Sequence, residues 1–472
     1  AGVRDRPDTG GPDPGVTAYW DNGPVQLYQA DARSIPLPDQ SVHCVVTSPP
    51  YFGLRVYKDN DDRGIGLEST VEDYIGNLVE VFREVRRVLR DDGVAWLNLG
   101  DSYAPDTKGT GGPSVKQLSN AGSFHGVTRH SIDMASGNRL GIPERVVLAL
   151  QADGWTWRDT IIWAKKSAMP ESLAGWRWER CRVKVASASR NVSDEQHPSG
   201  NRTMPIGGSI ATAEQAEWAD CPGCPKCEAN DGLVLRRGSW RTTQAHEYIY
   251  MLTKGMGYYA DGEAVKTAVS VNSDFHGKNI VHDYPSALGK AHHVKLGNGS
   301  VGNPSGANRR SVWNDISPEP YGGAHFATFP SDLPRICIQA STSERGCCSE
   351  CGSQWARVIN SGHNIHPGSS HNHTADDIQG NTQTHHSGIP AGTIMAQRFH
   401  AKESTQTLGW RPTCNHNAPA IPATVLDPFS GTATTCRAAQ KLGRRAVGVD
   451  ISESYLEQAV RRLSAVTLPM GI

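Results

Sequence analysis

The feature that most constrains the fold is an apolar strand that stops abruptly at two prolines. Residues 41–47 (Ser-Val-His-Cys-Val-Val-Thr) end in β-branched side chains and predict a buried strand. Pro49 and Pro50 lack the amide proton that a sheet requires, so the strand has to end before them. Tyr51 follows on a stiff loop at the strand's carboxyl end, where open α/β sheets bind ligands. On these residues alone, a rigid turn with an incidental tyrosine is the alternative.

Strands and helices alternate near both ends of the chain, which predicts an α/β fold with a mostly parallel sheet. The predicted N-terminal strands are 25–30, 41–47, 94–99 and 156–164, and the predicted helices are 70–90 and 142–152. The C-terminal strands are 423–427 and 445–449, followed by helix 453–463. Because the termini of a domain often lie close together, we expect both sets in a single sheet.

The segment around residue 430 predicts a nucleoside site. A strand leads into Asp427, Phe429 and Gly431, and a helix begins soon after, so backbone amides and a helix N-terminus face the same point. Asp450 ends the next strand, 19 residues past Gly431, where nucleoside-binding folds place an acid for the ribose hydroxyls. A loop with one glycine is a poor pyrophosphate cradle, which favours S-adenosylmethionine over NAD or ATP.

Two motifs then resemble a known family. "DPFSGTATT" (427–435, including Thr434) is similar to the cofactor motif of the β-class DNA amino-methyltransferases, and "TSPPY" (47–51) is similar to their catalytic motif. Their order, with the catalytic half first, resembles the circularly permuted members of the family. The resemblance implies a Rossmann-like methyltransferase sheet with an inserted target-recognition region. One departure is Ala433, where the family usually has glycine.

Further segments extend the resemblance. Asp31 corresponds to the adenine side of the cofactor site, and residues 159–172 also match. "HFATFPSDL" (325–333) resembles the segment that closes over the methionine moiety, which implies cofactor contacts for Thr328 and Phe329.

The resemblance also implies a division into regions. These are a flexible lead-in (1–24), a catalytic half (25–165), a target-recognition region with a zinc module (166–310), a cofactor-closing segment (311–346), a second zinc knuckle with a His-rich mobile insertion (347–416) and a cofactor-binding half (417–472).

In such an enzyme, the proline loop would act on the target base. The target base is flipped out of the duplex, and its exocyclic amine is a poor nucleophile. Ser48 Oγ and the Pro49 carbonyl can accept the amine's hydrogen bonds, Pro49 and Pro50 hold them rigidly, and Tyr51 offers a stacking face. In this family serine at the first position usually accompanies cytosine N4, and aspartate commonly accompanies adenine N6. The expected activity is cytosine-N4 methylation, with adenine-N6 methylation as the alternative.

Two groups of cysteines have the spacing of structural zinc sites. Cys221, Cys224 and Cys227 form one knuckle, with Cys181 as the fourth ligand. Cys348 and Cys351 form a second, completed by Cys414 and His416, with Cys347 as an alternative to Cys348. Reduced surface thiols are the competing interpretation. Metal would stabilise loop-rich regions that have little core.

The remaining composition limits partners and location. Net charge is −1, from 47 basic and 48 acidic residues, so a nucleic-acid surface must be a local patch. Such a patch is predicted where tryptophans alternate with Arg177, Arg236, Arg237 and Arg241. The competing interpretation is that the tryptophans form the core of the module and the arginines a solvated face. The sequence has neither a signal-peptide core nor a membrane-length apolar run, which predicts a cytoplasmic protein.

The expected partners follow from this interpretation. They are double-stranded DNA and, as a candidate, a cognate restriction endonuclease, with a monomer or a homodimer left open. A zinc-containing DNA-binding subunit without activity is the non-enzymatic alternative.

Overall fold

The computed structural model describes residues 17–53, 64–104, 134–166, 174–186, 217–267, 306–316, 330–360 and 405–465. By internal contacts the chain forms two compact units. The first contains residues 1–166 and 246–472, and the second contains residues 167–245. The predicted target-recognition region ran from residue 166 to residue 310, so nearly half of it, residues 246–310, belongs to the first unit.

A nine-stranded sheet forms the centre of the first unit. Its strands in spatial order are β1 (Trp20–Asp21), β2 (Val25–Gln29), β17 (Arg445–Asp450), β16 (Thr424–Asp427), β3 (Val42–Thr47), β4 (Leu89–Leu99), β10 (His246–Thr253), β5 (Thr156–Ala164) and β11 (Val312–Trp313). The five neighbouring strands β2, β17, β16, β3 and β4 are parallel to one another, whereas β10 is antiparallel to both of its neighbours, β4 and β5. Leu426 of β16 pairs with Val45 of β3, so both ends of the chain share one sheet, as expected.

Helices cover both faces of this sheet. They are α1 (Val71–Val88), α2 (Ile142–Ala152), α3 (Asp332–Ser341), α4 (Thr434–Lys441) and α5 (Glu453–Ser464). The core on one face contains residues of α1 and α2, and the core on the other contains residues of α3, α4 and α5. Strand β3 serves both, because Val45 faces the first core while Cys44 and Val46 face the second. A strand buried on both faces requires the continuous apolar run seen in its sequence.

The remaining strands among the described residues form short two-stranded pairs. In the first unit, β12 (Cys347–Cys348) pairs with β15 (Ala420–Ile421), and β13 (Ala356–Asn360) pairs with β14 (Gln406–Arg411). In the second unit, β6 (Arg177–Arg180) pairs with β9 (Leu233–Arg236), and β7 (Arg182–Ala186) pairs with β8 (Glu217–Asp220). Single-turn 3-10 helices occur at Glu228–Asn230 and Gly262–Val265.

Candidate functional site

The proline loop and the Gly431 loop are joined at the carboxyl ends of β3 and β16. Thr47, the last residue of β3, donates a hydrogen bond from Oγ1 to Asp427 Oδ1 at 2.7 Å. The same carboxylate oxygen accepts the backbone amide of Phe429 at 3.1 Å. Thr47 is fully buried and Asp427 is 2% exposed. The predicted catalytic and cofactor motifs therefore meet at one point of the sheet edge, because neighbouring parallel strands end there together.

Burial perturbs this carboxyl group. It raises the pKa of Asp427 to about 6, against the opposing effect of hydrogen bonds from Thr47, Thr435 and the Phe429 amide. A carboxylate with a raised pKa at a strand end is typical of a functional site.

The Gly431 loop is tied to the end of β17 by Asp450. Its Oδ2 accepts the Gly431 amide at 2.8 Å, and its Oδ1 accepts the Ser452 amide at 2.9 Å. Asp450 was predicted to bind ribose hydroxyls, and in the structure its carboxylate positions the loop. Gly431 has φ +49°, and a Cβ there would meet no atom within 4 Å. The loop that Asp450 holds therefore borders open space at Gly431, which leaves room for a ligand.

Helix α4 begins next to this space. Its N-cap is Ala433, in the left-handed region at φ 61°, and no side chain caps its first amides. Uncapped amides at a helix N-terminus are available to polar ligand atoms. The predicted cofactor contact Thr434 is the first residue of α4 and is 6% exposed.

The other predicted cofactor residues divide into two groups. Asp31 lies just after β2 and accepts a hydrogen bond from Arg33 Nη2 at 2.8 Å, so it belongs to a charge pair. Thr328 and Phe329 lie outside the described residues.

The proline loop is braced by its neighbours. Tyr74 of α1 donates a hydrogen bond to the Pro50 carbonyl at 2.9 Å. Gly53 donates to the Gly66 carbonyl at 2.9 Å. Gly66 has φ +102°, and a Cβ there would come within 3.1 Å of the Tyr51 carbonyl oxygen. Pro49 is buried and Ser48 is half-buried, so the predicted acceptors lie on a fixed and partly accessible loop.

A polar network at the tyrosine was missed by sequence reasoning. Tyr51 donates its hydroxyl to Glu247 Oε2 at 2.8 Å, and Glu247 Oε1 pairs with Lys165. Asn98 Oδ1 lies 3.4 Å from the same hydroxyl. Burial, and next the negative charge of Glu247, raise the pKa of Tyr51 well above its usual value, so the phenol stays neutral. One sequence feature could have pointed to this network, because Lys165 falls within segment 159–172, which resembles the family. No sequence feature pointed to Glu247.

The first predicted metal cluster is assembled within the second unit. The sulfurs of Cys181, Cys221, Cys224 and Cys227 all lie within 4.8 Å of one another. Cys224 Sγ is 3.8 Å from Cys181 Sγ and 3.6 Å from Cys227 Sγ. A tetrahedral zinc ion with Zn–S bonds of about 2.3 Å needs sulfurs roughly 3.8 Å apart, so this donor set fits zinc.

The second cluster lies in the first unit. One ligand atom from each of Cys348, Cys351, Cys414 and His416 lies within 4.8 Å of the others. Cys347 is outside the group and its thiol faces the Ile421 carbonyl, 3.5 Å away. The knuckle is attached to the sheet through Gly352, whose carbonyl is 2.9 Å from His43 Nε2 on β3. Three thiolates and an imidazole are a zinc donor set.

The predicted DNA-contact residues lie on an unusual surface of the second unit. Trp176, Trp178 and Trp240 are 68%, 52% and 71% exposed, so these indoles are not the core of the module. The guanidinium of Arg237 lies 5.0 Å from the ring centroid of Trp176. Arg177 and Arg236 are cross-strand partners that flank Glu179, and Arg241 is half-buried. Arginines beside exposed aromatic rings suit contacts with phosphates and bases.

Comparison with known sequences identifies the family of this chain. The sequence profile of the N6/N4 DNA methylase family matches residues 42–349 and 421–461, well over half of the chain. The chain therefore belongs to this family and is a DNA amino-methyltransferase.

Individual relatives are similar over two thirds of the chain. The type II methyltransferase M.Cfr9I of Citrobacter freundii is 33% identical over 318 residues, which cover 67% of this chain and 72% of the relative. M.XycI of Xanthomonas campestris pv. cyanopsidis is 31% identical with the same coverage. The cytosine-N4-specific PvuII DNA methyltransferase structure covers 96% of this chain and 92% of its own at 12% identity, with a TM-score of 0.41, which is too low to support an argument.

Among the described residues, no helix combines the length and the apolar character needed to cross a membrane.

Proposed function

We propose that this chain is a type II, site-specific DNA methyltransferase that transfers a methyl group from S-adenosylmethionine to the N4 amine of a flipped-out cytosine. The observation that carries the proposal is the hydrogen bond between Thr47 and Asp427, which joins a Ser-Pro-Pro-Tyr loop to a nucleoside-type loop. The relatives that cover two thirds of the chain have type II methyltransferase names. The β-class assignment and the permuted motif order are parts of this proposal.

The cofactor proposal uses the open space beside Gly431. Asp427 and Asp450 offer carboxylate oxygens for the amine and hydroxyl groups of S-adenosylmethionine, and Asp31 would lie on its adenine side. Phe429 and the first residue of α4, Thr434, would line the remaining wall, with Thr328 and Phe329 closing over the methionine moiety. When bound, the cofactor supplies an electrophilic methyl sulfonium.

Residues of the proline loop would act on the target amine. The Ser48 hydroxyl and the Pro49 carbonyl accept its two hydrogen bonds, which favours the pyramidal nitrogen of the transition state over the planar ground state. Pro49 and Pro50 hold these acceptors in place, so little reorganisation accompanies the reaction. Tyr51 supports the base by stacking, and positioning contributes much of the rate. The excess proton of the methylated amine then leaves to water.

Serine at position 48 favours cytosine over adenine, because the family commonly has aspartate there for adenine N6. Mass spectrometry of nucleosides from plasmid DNA treated with the purified protein tests this choice. N4-methyldeoxycytidine supports the proposal, whereas N6-methyldeoxyadenosine replaces it with the adenine-N6 alternative. A protein that yields neither product but still binds DNA would be the non-enzymatic zinc-containing subunit.

We also propose two structural zinc sites and a DNA-contact surface. Four cysteines would hold zinc in the second unit, and Cys348, Cys351, Cys414 and His416 would hold zinc in the first. Neither donor set leaves an open coordination position, so the metals would act in folding and not in methyl transfer. Arg177, Arg236, Arg237 and Arg241 would contact double-stranded DNA, which makes the second unit the target-recognition region. A cognate restriction endonuclease remains a candidate partner.

A further inference from the structure

Glu247 connects two groups at the proline loop through two different oxygens. Its Oε2 accepts the hydroxyl of Tyr51 at 2.8 Å, and its Oε1 pairs with the Lys165 ammonium. Glu247 is 9% exposed and lies on β10 opposite Trp163 of β5. Lys165 follows the end of β5, and its ammonium lies 5.1 Å from the centroid of the Trp163 ring. A cross-strand ion pair needs one carboxylate oxygen, so the bond to Tyr51 requires a separate explanation.

The tyrosine ring is fixed at two places. At the hydroxyl end, Glu247 accepts a hydrogen bond from the ring's O–H group, with Asn98 at 3.4 Å as a weaker acceptor. At the ring edge, Gly100 leaves room that a side chain would remove, because a Cβ there would come within 2.8 Å of Tyr51 Cε2. Contacts at both an edge and the end of an aromatic ring determine its plane. A stacking ring needs a determined plane, because stacking depends on the relative orientation of the two rings.

We propose that Glu247 and Lys165 are positioning residues for methyl transfer, which orient the plane of Tyr51 against the target base. Lys165 compensates the buried carboxylate, and the carboxylate holds the tyrosine. This inference rests on the proposed function, because it concerns the base-stacking role of Tyr51. A purely structural cross-strand pair is the competing explanation, and it predicts an effect on stability without a specific effect on turnover.

The experiment is a double-mutant cycle of Glu247→Gln and Tyr51→Phe. Glutamine has one acceptor oxygen, so it cannot serve both Lys165 and Tyr51, while phenylalanine removes the hydroxyl and needs no acceptor. Steady-state methylation of plasmid DNA gives kcat and KM, and calorimetry with S-adenosylhomocysteine gives cofactor-site affinity. Asp261→Asn is the matched control, since Asp261 is a buried carboxylate paired with Arg357 at 2.8 Å.

We expect Glu247→Gln and Tyr51→Phe each to lower kcat by roughly 10- to 100-fold, as a misplaced reacting group does. KM and calorimetric affinity should change by no more than about 2-fold if neither substrate site is altered. The double variant should be no slower than the slower single variant, because both changes break the same contact. Asp261→Asn should leave kcat unchanged.

Several results would overturn the inference. The first is a kcat of Glu247→Gln that equals that of the wild type or of Asp261→Asn within error. The second is a double variant in which the two single effects on kcat multiply. If Glu247→Gln does not fold, Lys165→Met provides the same cycle with Tyr51→Phe, and an additive result there contradicts the inference equally. An inactive wild type would instead refute the proposed function, so the two failures are distinguishable.

Discussion

At the scale of single residues, the buried carboxyl group of Asp427 makes the stability of the protein depend on pH. Its carboxyl group is 2% exposed, and burial raises its pKa to about 6. The folded protein thus favours the protonated form more than the unfolded chain does. Below about pH 4 the group is protonated in both states, and stability is lost as the pH rises through about 6.

Asp427→Asn should remove this pH-dependent loss. Asparagine still accepts from Thr47 and from the Phe429 amide but does not ionise. Relative to the wild type, we expect the free energy of unfolding of the variant to increase by about 1–3 kcal/mol between pH 5 and pH 8, at about 1.4 kcal/mol per unit of pKa shift. Urea unfolding at both pH values measures this difference. The control is Asp91→Asn, whose carboxylate is 76% exposed. An equal trend in both variants would contradict the assignment to Asp427.

Residue identity at the site was only partly predictable. The proline loop and the Gly431 loop are continuous sequence motifs, so their residues could be predicted from the local sequence alone. Glu247 is 196 positions from Tyr51 in the chain, and its role depends on the pairing of β10 between β4 and β5. A single sequence does not specify such long-range strand pairings, so nothing in the sequence distinguishes Glu247 from the other glutamates of the chain.

The predicted bounds of the elements agree with the structure to within two residues, except for strand β4. Helix α1 was expected at 70–90 and spans Val71–Val88, because its apolar periodicity is long and regular. Strand β4 was expected at 94 and begins at Leu89, where the polar residues 90–93 give no strand signal. Strand β10 was assigned to the target-recognition region, although its alternating aromatic side chains belong to the main sheet. Its position is set by pairing and not by local sequence.

The start of α1 gives a sharp test at this scale. Ser69 and Glu72 have the sequence spacing of a capping box. Instead, Thr70 is the N-cap and accepts the Asp73 amide at 3.1 Å, one residue further along. Thr70→Ala should therefore lower the free energy of unfolding by about 1 kcal/mol, whereas Ser69→Ala should change it much less. Thermal unfolding of both variants measures the difference, and a larger effect of Ser69→Ala would contradict the assignment of Thr70 as the N-cap.

The cysteine clusters predict a metal content of two zinc ions per chain. Cys224→Ser should reduce it to one, and proteolysis should then cleave the second unit first, because few of the residues that the structure describes in that unit are buried and apolar. Cys348→Ser should also remove one ion, whereas Cys347→Ser should keep both, since Cys347 lies outside the ligand group. Elemental analysis of the purified proteins measures this. A protein without metal that still binds DNA would refute the proposed structural role of zinc.

For the whole molecule, the two compact units suggest a division between chemistry and sequence recognition. Exchange of residues 167–245 for the corresponding region of a relative should change the methylated sequence but not the methylated atom, because base chemistry is assigned to the sheet-end loops of the first unit. Arg236→Ala in the unexchanged chain should weaken all sequences alike and reduce the salt dependence of binding if this residue contacts phosphate. Retained specificity after the exchange would place target recognition elsewhere.

The central claim is that this site methylates an exocyclic amine at a defined DNA sequence. Methylome sequencing of a methylation-free bacterial host that expresses the chain tests it most directly. We predict N4-methylcytosine within one recurring sequence motif, and much less of it in a host that expresses Ser48→Ala at equal protein level, because this variant lacks the proposed acceptor for the target amine. A host genome without amino methylation, or one with C5-methylcytosine instead, would contradict the account.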